Sequence, residues 1–534
     1  MARDGDYSTV QFSDVSFSYG GAVPVLDRVS FTVGRGWTGI VGPNGSGKTT
    51  LLSLAARALE TEAGAIIAPR RAVSCEQPTE SLPVLAHEFF YAFDERSMDL
   101  TRTLELELEW LFRWDTLSHG ERKRTQIAVA LWSAPELLAL DEPTNHIDAP
   151  AKQMLREALA RYDGIGLLVS HDRDFLDSLC ERCIFLNAGG ATVRPGGVSA
   201  GLEQAAQDEL AANRELNAAR QRVSGLETEA AHRRDTARSQ QRRRSKAGLA
   251  RKDHDARFKR NLARYTGKDG TGGKLLRQMD GRIAGARADL ERKRRAAAAA
   301  RRVDPDGVTL SGEASKSDSI VGLQTGSIPL GGSGTRRVLT FPDLSIRGRD
   351  RILLAGPNGS GKTTLIAHIA SHFPAPDARL PFHRGHAVFL PQELSAEDRR
   401  LVRAWVDSLA NDDRAALLSA INRLGSDPER FLQTMLPSPG EARKAIIASG
   451  ELARCLLLVL DEPTNHLDLP SISLLEAALT AFPGAVLFTS HDERFARTVA
   501  GDRDRWVIES DTREGDRLRS LAMGKNRVVT EYSP

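Results

Sequence analysis

The decapeptide Gly-Pro-Asn-Gly-Ser-Gly-Lys-Thr-Thr-Leu occurs twice in this chain, at Gly42–Leu51 and again at Gly356–Leu365. A repeated unit sets the architecture before any single residue does, because both copies must sit in the same local fold. The first copy follows the apolar run Thr38-Gly39-Ile40-Val41 and opens a second apolar stretch at Leu51. Strand, glycine loop and helix are therefore predicted, twice over. In 534 residues this gives an α/β chain of two like domains in tandem with room for a third segment between them.

The segment between is marked by charge. Residues 201–302 carry 27 Lys+Arg against 13 Asp+Glu, while the rest of the chain carries 46 against 57. Two mildly acidic halves thus flank one basic insert. The expected division is 1–200, 201–302 and 303–534.

The repeat is G-x-x-x-x-G-K-[ST]. Its glycines let successive backbone N–H groups curl around phosphate oxygens, and the helix N-terminus adds partial positive charge. The cradle is Gly42, Pro43, Asn44, Gly45, Ser46, Gly47, Lys48, Thr49 and Thr50 in the first copy. In the second it is Gly356, Pro357, Asn358, Gly359, Ser360, Gly361, Lys362, Thr363 and Thr364. Lys48 and Lys362 reach the β/γ-phosphates, and the Thr49 and Thr363 hydroxyls hold Mg2+. Downstream, the strands Glu136–Leu140 and Leu456–Leu460 deliver the paired carboxylates Asp141-Glu142 and Asp461-Glu462. Adjacent acids at a strand end suit Mg2+ binding by the aspartate and polarisation of an attacking water by the glutamate. Thirty residues past each aspartate stands Ser-His-Asp, with His171 and His491. One histidine would be an ordinary core residue; two at the same spacing are candidates for catalysis.

Leu117-Ser118-His119-Gly120-Glu121 precedes a helix, and Ser438-Pro439-Gly440-Glu441 recurs in the second half. With the phosphate loops, acid pairs and histidines, these segments resemble the ATP-binding cassette family. The resemblance implies ATP and Mg2+ as cofactors, and two cassettes closing head to tail within one monomer. Ser118 and Gly120 would then contact the ATP held by Lys362, and Ser438 and Gly440 the ATP held by Lys48. It also implies that Tyr19 stacks on adenine and that Gln77 and Gln392 sense Mg2+ and the attacking water. His119 departs from the commonest pattern, which has glycine there, and Pro437 replaces the usual leucine. No aromatic residue lies between Val303 and Thr340, so the second adenine position has no stacking partner. Both glutamates remain, and two hydrolytic sites are expected.

Within the insert, small or apolar residues step by four and three through Ala212, Leu216, Ala219, Val223, Leu226 and Ala230. The stepping resumes at Leu276, Met279, Ile283, Ala286 and Leu290, beyond the glycine-rich stretch 266–273. That is a coiled-coil seam. Arms of similar length, about 201–230 and 275–302, predict an antiparallel helical hairpin about 40 Å long. Its tip, 231–274, carries 15 Lys+Arg against 4 Asp+Glu. Arg242, Arg243, Arg244, Lys246, Arg251, Lys252, Arg257, Lys259 and Arg260 surround Phe258 and Tyr265, a mixture suited to RNA phosphates with occasional base stacking. A run of charge is more often a plain solvated face.

Two cassettes joined by a long basic hairpin resemble the ABC-F proteins, cytoplasmic ATPases that act on the ribosome. The resemblance implies rRNA and peptidyl-tRNA as partners, with the linker reaching toward the peptidyl-transferase region. Gln77 and Ser118 are only 41 positions apart, leaving little room for the arm several housekeeping members carry there. The chain is thus most similar to the antibiotic-resistance branch, with a housekeeping translation factor as the alternative. A transporter subunit would need membrane partners, and no apolar run here approaches the ~20 residues of a membrane span. A DNA-maintenance ATPase would split one cassette around its coiled coil, whereas here each is complete. The start lacks a secretory signal's apolar core, which predicts a cytosolic chain. Cys180-x-x-Cys183 has no second pair to complete a zinc site.

Overall fold

The computed structural model describes residues 8–20, 24–145, 147–187, 190–244, 270–300, 308–313, 319–330, 337–374, 380–501, 504–511 and 515–522. For 237–238, 240–244, 270–277, 298–300, 337, 504, 510–511 and 515–522 the description covers the backbone only. The two halves together make one compact unit, Met1–Gly201 with Val303–Pro534, and Leu202–Arg302 makes a second.

The first half is built on a six-stranded sheet in the order Ala72–Cys75, Leu137–Asp141, Ile165–Val169, Gly36–Val41, Arg182–Asn187, Gly190–Pro195, parallel except for the last pair. Leu137–Asp141 and Ile165–Val169 are buried at every position. Strands covered on both faces need continuous apolar side chains, which is why they are such runs in the sequence. The opening alternation forms Thr9–Phe17, antiparallel to Leu26–Gly34 and Ala63–Ile67, with Val10, Phe12, Val15 and Phe17 turned into the core. In the second half the equivalent parallel strands are Arg351–Ala355, Ala485–Phe488, Leu457–Leu460 and Ala387–Leu390, inside a nine-stranded sheet.

These orders place the chemistry. Asp141 pairs with Val169, and Val169 with Ile40, so the carboxyl ends of three neighbouring strands open side by side. The phosphate loop, the acid pair and the histidine each leave from one of them. Ligands of open parallel sheets bind at that edge.

The insert forms two helices, Val198–Arg244 and Gly270–Ala300. Ala230, Met279 and Ile283 pack together with Leu226 against them, and Leu216, Ala219 and Val223 are buried along the same seam. Arg234–Asp280 at 2.7 Å and Arg287–Glu227 at 2.5 Å set an antiparallel register, continued by Lys293 with Glu215. Both helices run past the expected arms. The first carries through Arg242–Arg244 because Arg, Gln and Ala favour helix even after the apolar stepping stops. The second begins within the glycine-rich stretch, at Gly270, where the first-turn N–H groups have no helical partner to lose. Lys246, Arg251, Lys252, Arg257, Phe258, Lys259, Arg260 and Tyr265 lie outside the described residues.

Candidate active site

Each phosphate loop turns through glycines in the left-handed region, Gly45 and Gly47 at φ +80° and +88°, Gly359 and Gly361 at +74° and +96°. The helices Lys48–Ala55 and Lys362–Ser371 start directly behind them. Lys48 Nζ donates to the carbonyls of Gly42 and Pro43 at 2.9 and 3.0 Å, and Lys362 Nζ to those of Gly356 and Pro357 at 2.7 and 3.0 Å. Burial lowers the pKa of both lysines, with the nearby glutamates pulling the other way. Each cation thus stands over its own loop. Ser46 Oγ and Ser360 Oγ are buried without a hydrogen-bond partner.

The cavity at the first loop, about 340 Å3, is lined by Tyr19, Lys48, Thr49, Gln77, Asp141, Glu142 and His171 among others. The second, about 210 Å3, is lined by Leu330, Lys362, Thr363, Thr364, Gln392, Asp461, Glu462 and His491 with Asn358, Gly359 and Gly361. So residues scattered over more than a hundred positions converge in each half. Thr49 Oγ1 donates to Asp141 Oδ2 at 2.7 Å and Thr363 Oγ1 to Asp461 Oδ2 at 2.8 Å. A hydroxyl and a carboxylate brought together are hard oxygen donors of the kind Mg2+ takes, so the donor set fits that ion. Tyr19 is 64% exposed, its hydroxyl 3.3 Å from Thr50 Oγ1 and its ring in T-shaped contact with Phe17 at 5.0 Å, which leaves most of the side chain open to cover a base. In the second cavity Leu330 lines the wall, and 331–336 lie outside the described residues.

Glu142 and Glu462 both adopt positive φ, +47° and +48°, a strained geometry for a non-glycine residue that persists where surroundings impose it. Burial, reinforced by Asp141, pushes the Glu142 carboxyl up to about 8; burial likewise raises Glu462 to about 7. Burial drives His171 down to about 3 and His491 to about 4, aided by Lys48 and Lys362 respectively. Near neutral pH the histidines are therefore neutral, and any proton of the pair rests on the carboxyl. A general base works best with a pKa near the operating pH. The geometry holds that base firmly: Glu142 Oε2 accepts from His171 N–H at 3.2 Å, with His171 Nε2 3.1 Å from Oε1. Glu462 repeats it, accepting from His491 N–H at 3.2 Å.

Ser118 and Ser438 cap the helices His119–Trp132 and Pro439–Leu452, each paired with a glutamate three residues on in a capping box. Their hydroxyls donate to Glu121 and Glu441 at 2.7 Å, and none of Ser118, Gly120, Ser438 or Gly440 lines either cavity. His119 Nδ1 lies 3.2 Å from Thr79 Oγ1, tying that segment to the loop of Gln77. The turn after Asp461-Glu462 crosses to the first phosphate loop: Asn44 N–H donates to Asp468 Oδ2 at 2.8 Å and Asn44 Nδ2 to the His466 carbonyl at 3.0 Å. On the other side Asn358 Oδ1 lies 3.1 Å from His491 Nε2 of its own half.

Two residues escaped the sequence reading. Lys123 and Arg443, five positions after each serine, are both fully buried. Lys123 Nζ donates to the Glu76 carbonyl at 2.6 Å; Arg443 donates to the carbonyls of Glu462 and Gln392. They lock the glutamine loop, and Arg443 the catalytic turn, to the helix behind. The available signal was a cation amid an apolar helix face.

A family model described as ABC transporter matches residues 26–145 and 341–465. The chain is 27% identical over 499 residues to the ribosome protection protein VmlR of Bacillus subtilis, covering 90% of this chain and 83% of that one. It is 29% identical over 545 residues to the tylosin resistance ATP-binding protein TlrC of Streptomyces fradiae, covering 89% and 93%. Among solved structures it resembles an archaeal ribosome recycling factor, aABCE1, in complex with a ribosomal stalk protein, with TM-score 0.57 at 18% identity over 96% of this chain and 90% of that one.

Proposed function

We propose that this chain, an ABC-F ATPase by its two tandem cassettes and by its relatives, binds the ribosome when loaded with ATP and protects it from an antibiotic. The observation that carries the reading is the joining of two phosphate-loop cavities to a basic helical hairpin in one chain. The chain hydrolyses ATP, and what remains is what that hydrolysis serves. Among the described residues no helix is long and apolar enough to cross a membrane. A hairpin whose positive charge peaks beyond its apolar seam suits rRNA and tRNA phosphates.

In this reading Lys48 and Lys362 bind the phosphates, and Glu142 and Glu462 take the proton of the attacking water. His171 and His491 hold each glutamate by its backbone N–H. Thr49, Asp141 and Gln77, and Thr363, Asp461 and Gln392, would hold Mg2+, which neutralises charge on the β- and γ-phosphates. Ser118 with Gly120 and Ser438 with Gly440 close over the opposite nucleotides. ATP closure presents the hairpin to the tRNA and peptidyl-transferase region, and hydrolysis releases it.

The test is a Glu142→Gln, Glu462→Gln double variant. It should bind ATP, lose ~10²–10⁴ of the hydrolytic rate, and sediment with ribosomes only when ATP is present. A susceptibility panel in a sensitive host expressing the wild type separates the readings. Protection against one ribosome-directed drug class supports resistance, and ribosome binding with no protection supports a housekeeping translation factor. ATP-independent sedimentation, or none, overturns both.

A further inference from the structure

A cation from the second half stands over the phosphate loop of the first. Arg430 belongs to the short helix Pro428–Gln433, eight residues before Ser438. An atom at the Cβ position of Gly45 would lie 3.3 Å from Arg430 Nη1 and 3.4 Å from Nη2. The guanidinium therefore faces the middle of the loop that Lys48 closes. Its Nε is 3.9 Å from Glu441 Oε1, the capping-box partner of Ser438, so it lies between that segment and the opposite loop. The side chain is 63% exposed, and its nearest ion-pair partner is at the limit of contact.

Among the described residues no cation of the first half stands over the second phosphate loop; Lys152 of the first half reaches that site elsewhere, its Nζ donating to the His491 carbonyl at 3.0 Å. Eight residues before Ser118 stands Trp110, which is buried, with its Nε1 donating to Glu107 and Arg124 over its ring. A Cβ at Gly359, the matching loop position, would meet nothing within 4 Å among the described residues. The two loops are alike in sequence and differ in what reaches them from across.

We propose that Arg430 is a catalytic residue supplied in trans to the first ATP site, where its planar fork engages the phosphate tail, and that the second site works without one. This rests on the reading of both sites as ATPase sites. Arginine matches phosphate oxygens bidentately and stays charged at any working pH. An arginine inserted from a neighbouring domain can raise phosphoryl-transfer rates by orders of magnitude. Here it would couple hydrolysis at the first site to closure, because the guanidinium arrives only with the second half.

The experiment isolates the sites with single glutamate variants. In a Glu462→Gln background, where only the first site hydrolyses, Arg430→Ala should lower kcat at least 10-fold, and Arg430→Lys should recover part of it. In a Glu142→Gln background the same change should alter turnover less than 2-fold. Equal losses in both backgrounds would mean a general structural effect and would overturn the proposal, as would no loss in the first. Unchanged thermal melting of Arg430→Ala and Arg430→Lys checks that the fold is intact. If the Glu462→Gln parent itself fails to hydrolyse ATP, the assignment of Glu142 fails rather than that of Arg430.

Discussion

Arg173 of the first half and Glu476 of the second meet across the junction, Nη1 to Oε2 at 3.3 Å, with side chains only 5% and 10% exposed. Arg173 Nη2 also donates to Ser473 Oγ at 2.8 Å. Burial raises the Glu476 pKa, and the arginine opposes it. Such a pair is worth little as an attraction but costs much to break, because one charge is left buried alone. Arg173→Met should therefore destabilise the chain by about 3–5 kcal/mol. The double variant with Glu476→Leu should regain most of that loss in chemical denaturation. A double variant as unstable as the single one would show that the arginine matters for something other than the pair.

The raised carboxyls make a pH prediction with a definite sign. Burial pushes the Glu142 carboxyl up to about 8 from the usual glutamate value near 4.5. Its contribution to stability is fully present below about pH 4.5 and is lost as pH rises through about 8. Glu142→Gln removes that loss. The variant should melt with the wild type at pH 4.5 and above it at pH 9, by up to roughly 3–5 kcal/mol at about 1.4 kcal/mol per pKa unit. Parallel stability curves for the two proteins across pH 4.5–9, measured without nucleotide, would contradict the buried-acid account.

A Cβ at Gly440 would lie 2.6 Å from the His466 carbonyl oxygen, which also accepts from Asn44 Nδ2. Gly440→Ala must push this turn away from the first phosphate loop, so it should reduce ATPase activity several-fold and cost about 1–3 kcal/mol of stability. Steady-state hydrolysis by Gly440→Ala at the wild-type rate would show that the turn need not hold this position.

These predictions also mark where sequence stopped being informative. Lys48, Asp141, Glu142 and His171 were legible because each belongs to a segment led by a strand whose apolar run is local, and because Lys362, Asp461, Glu462 and His491 repeat them. The hairpin was legible from its four-and-three stepping, although propensity alone carried its first helix on to Arg244. Asn44 with Asp468 was not, since a contact spanning 424 residues leaves no periodic trace. Arg443 stands amid apolar residues, but Lys444 beside it gives the segment the look of a solvated face; the fold buries Arg443 wholly, against the Glu462 and Gln392 carbonyls. Arg430 and Arg173 fail for the same reason, because their partners belong to the other half.

The last prediction separates RNA contact from a merely solvated charge run at the end of the hairpin. Replacing Arg242, Arg243, Arg244 and Lys246 with Ala removes four of the 15 cations between 231 and 274. If they meet phosphates, each releases condensed counterions on binding, with a log–log salt slope of about −0.7 to −0.9 per phosphate neutralised. The variant should bind ribosomes more weakly at low salt, and its salt dependence should be shallower by up to about 3 units. Changes at Phe258 or Tyr265 should act differently. Loss of a stacking ring costs about 1–3 kcal/mol per base and leaves the salt slope unchanged. The measurement is co-sedimentation with ribosomes across a salt series in the presence of ATP. Identical curves for the four-alanine variant and the wild type would make the run a solvated face, and the ribosomal reading would then stand on the cassettes and the hairpin stem alone.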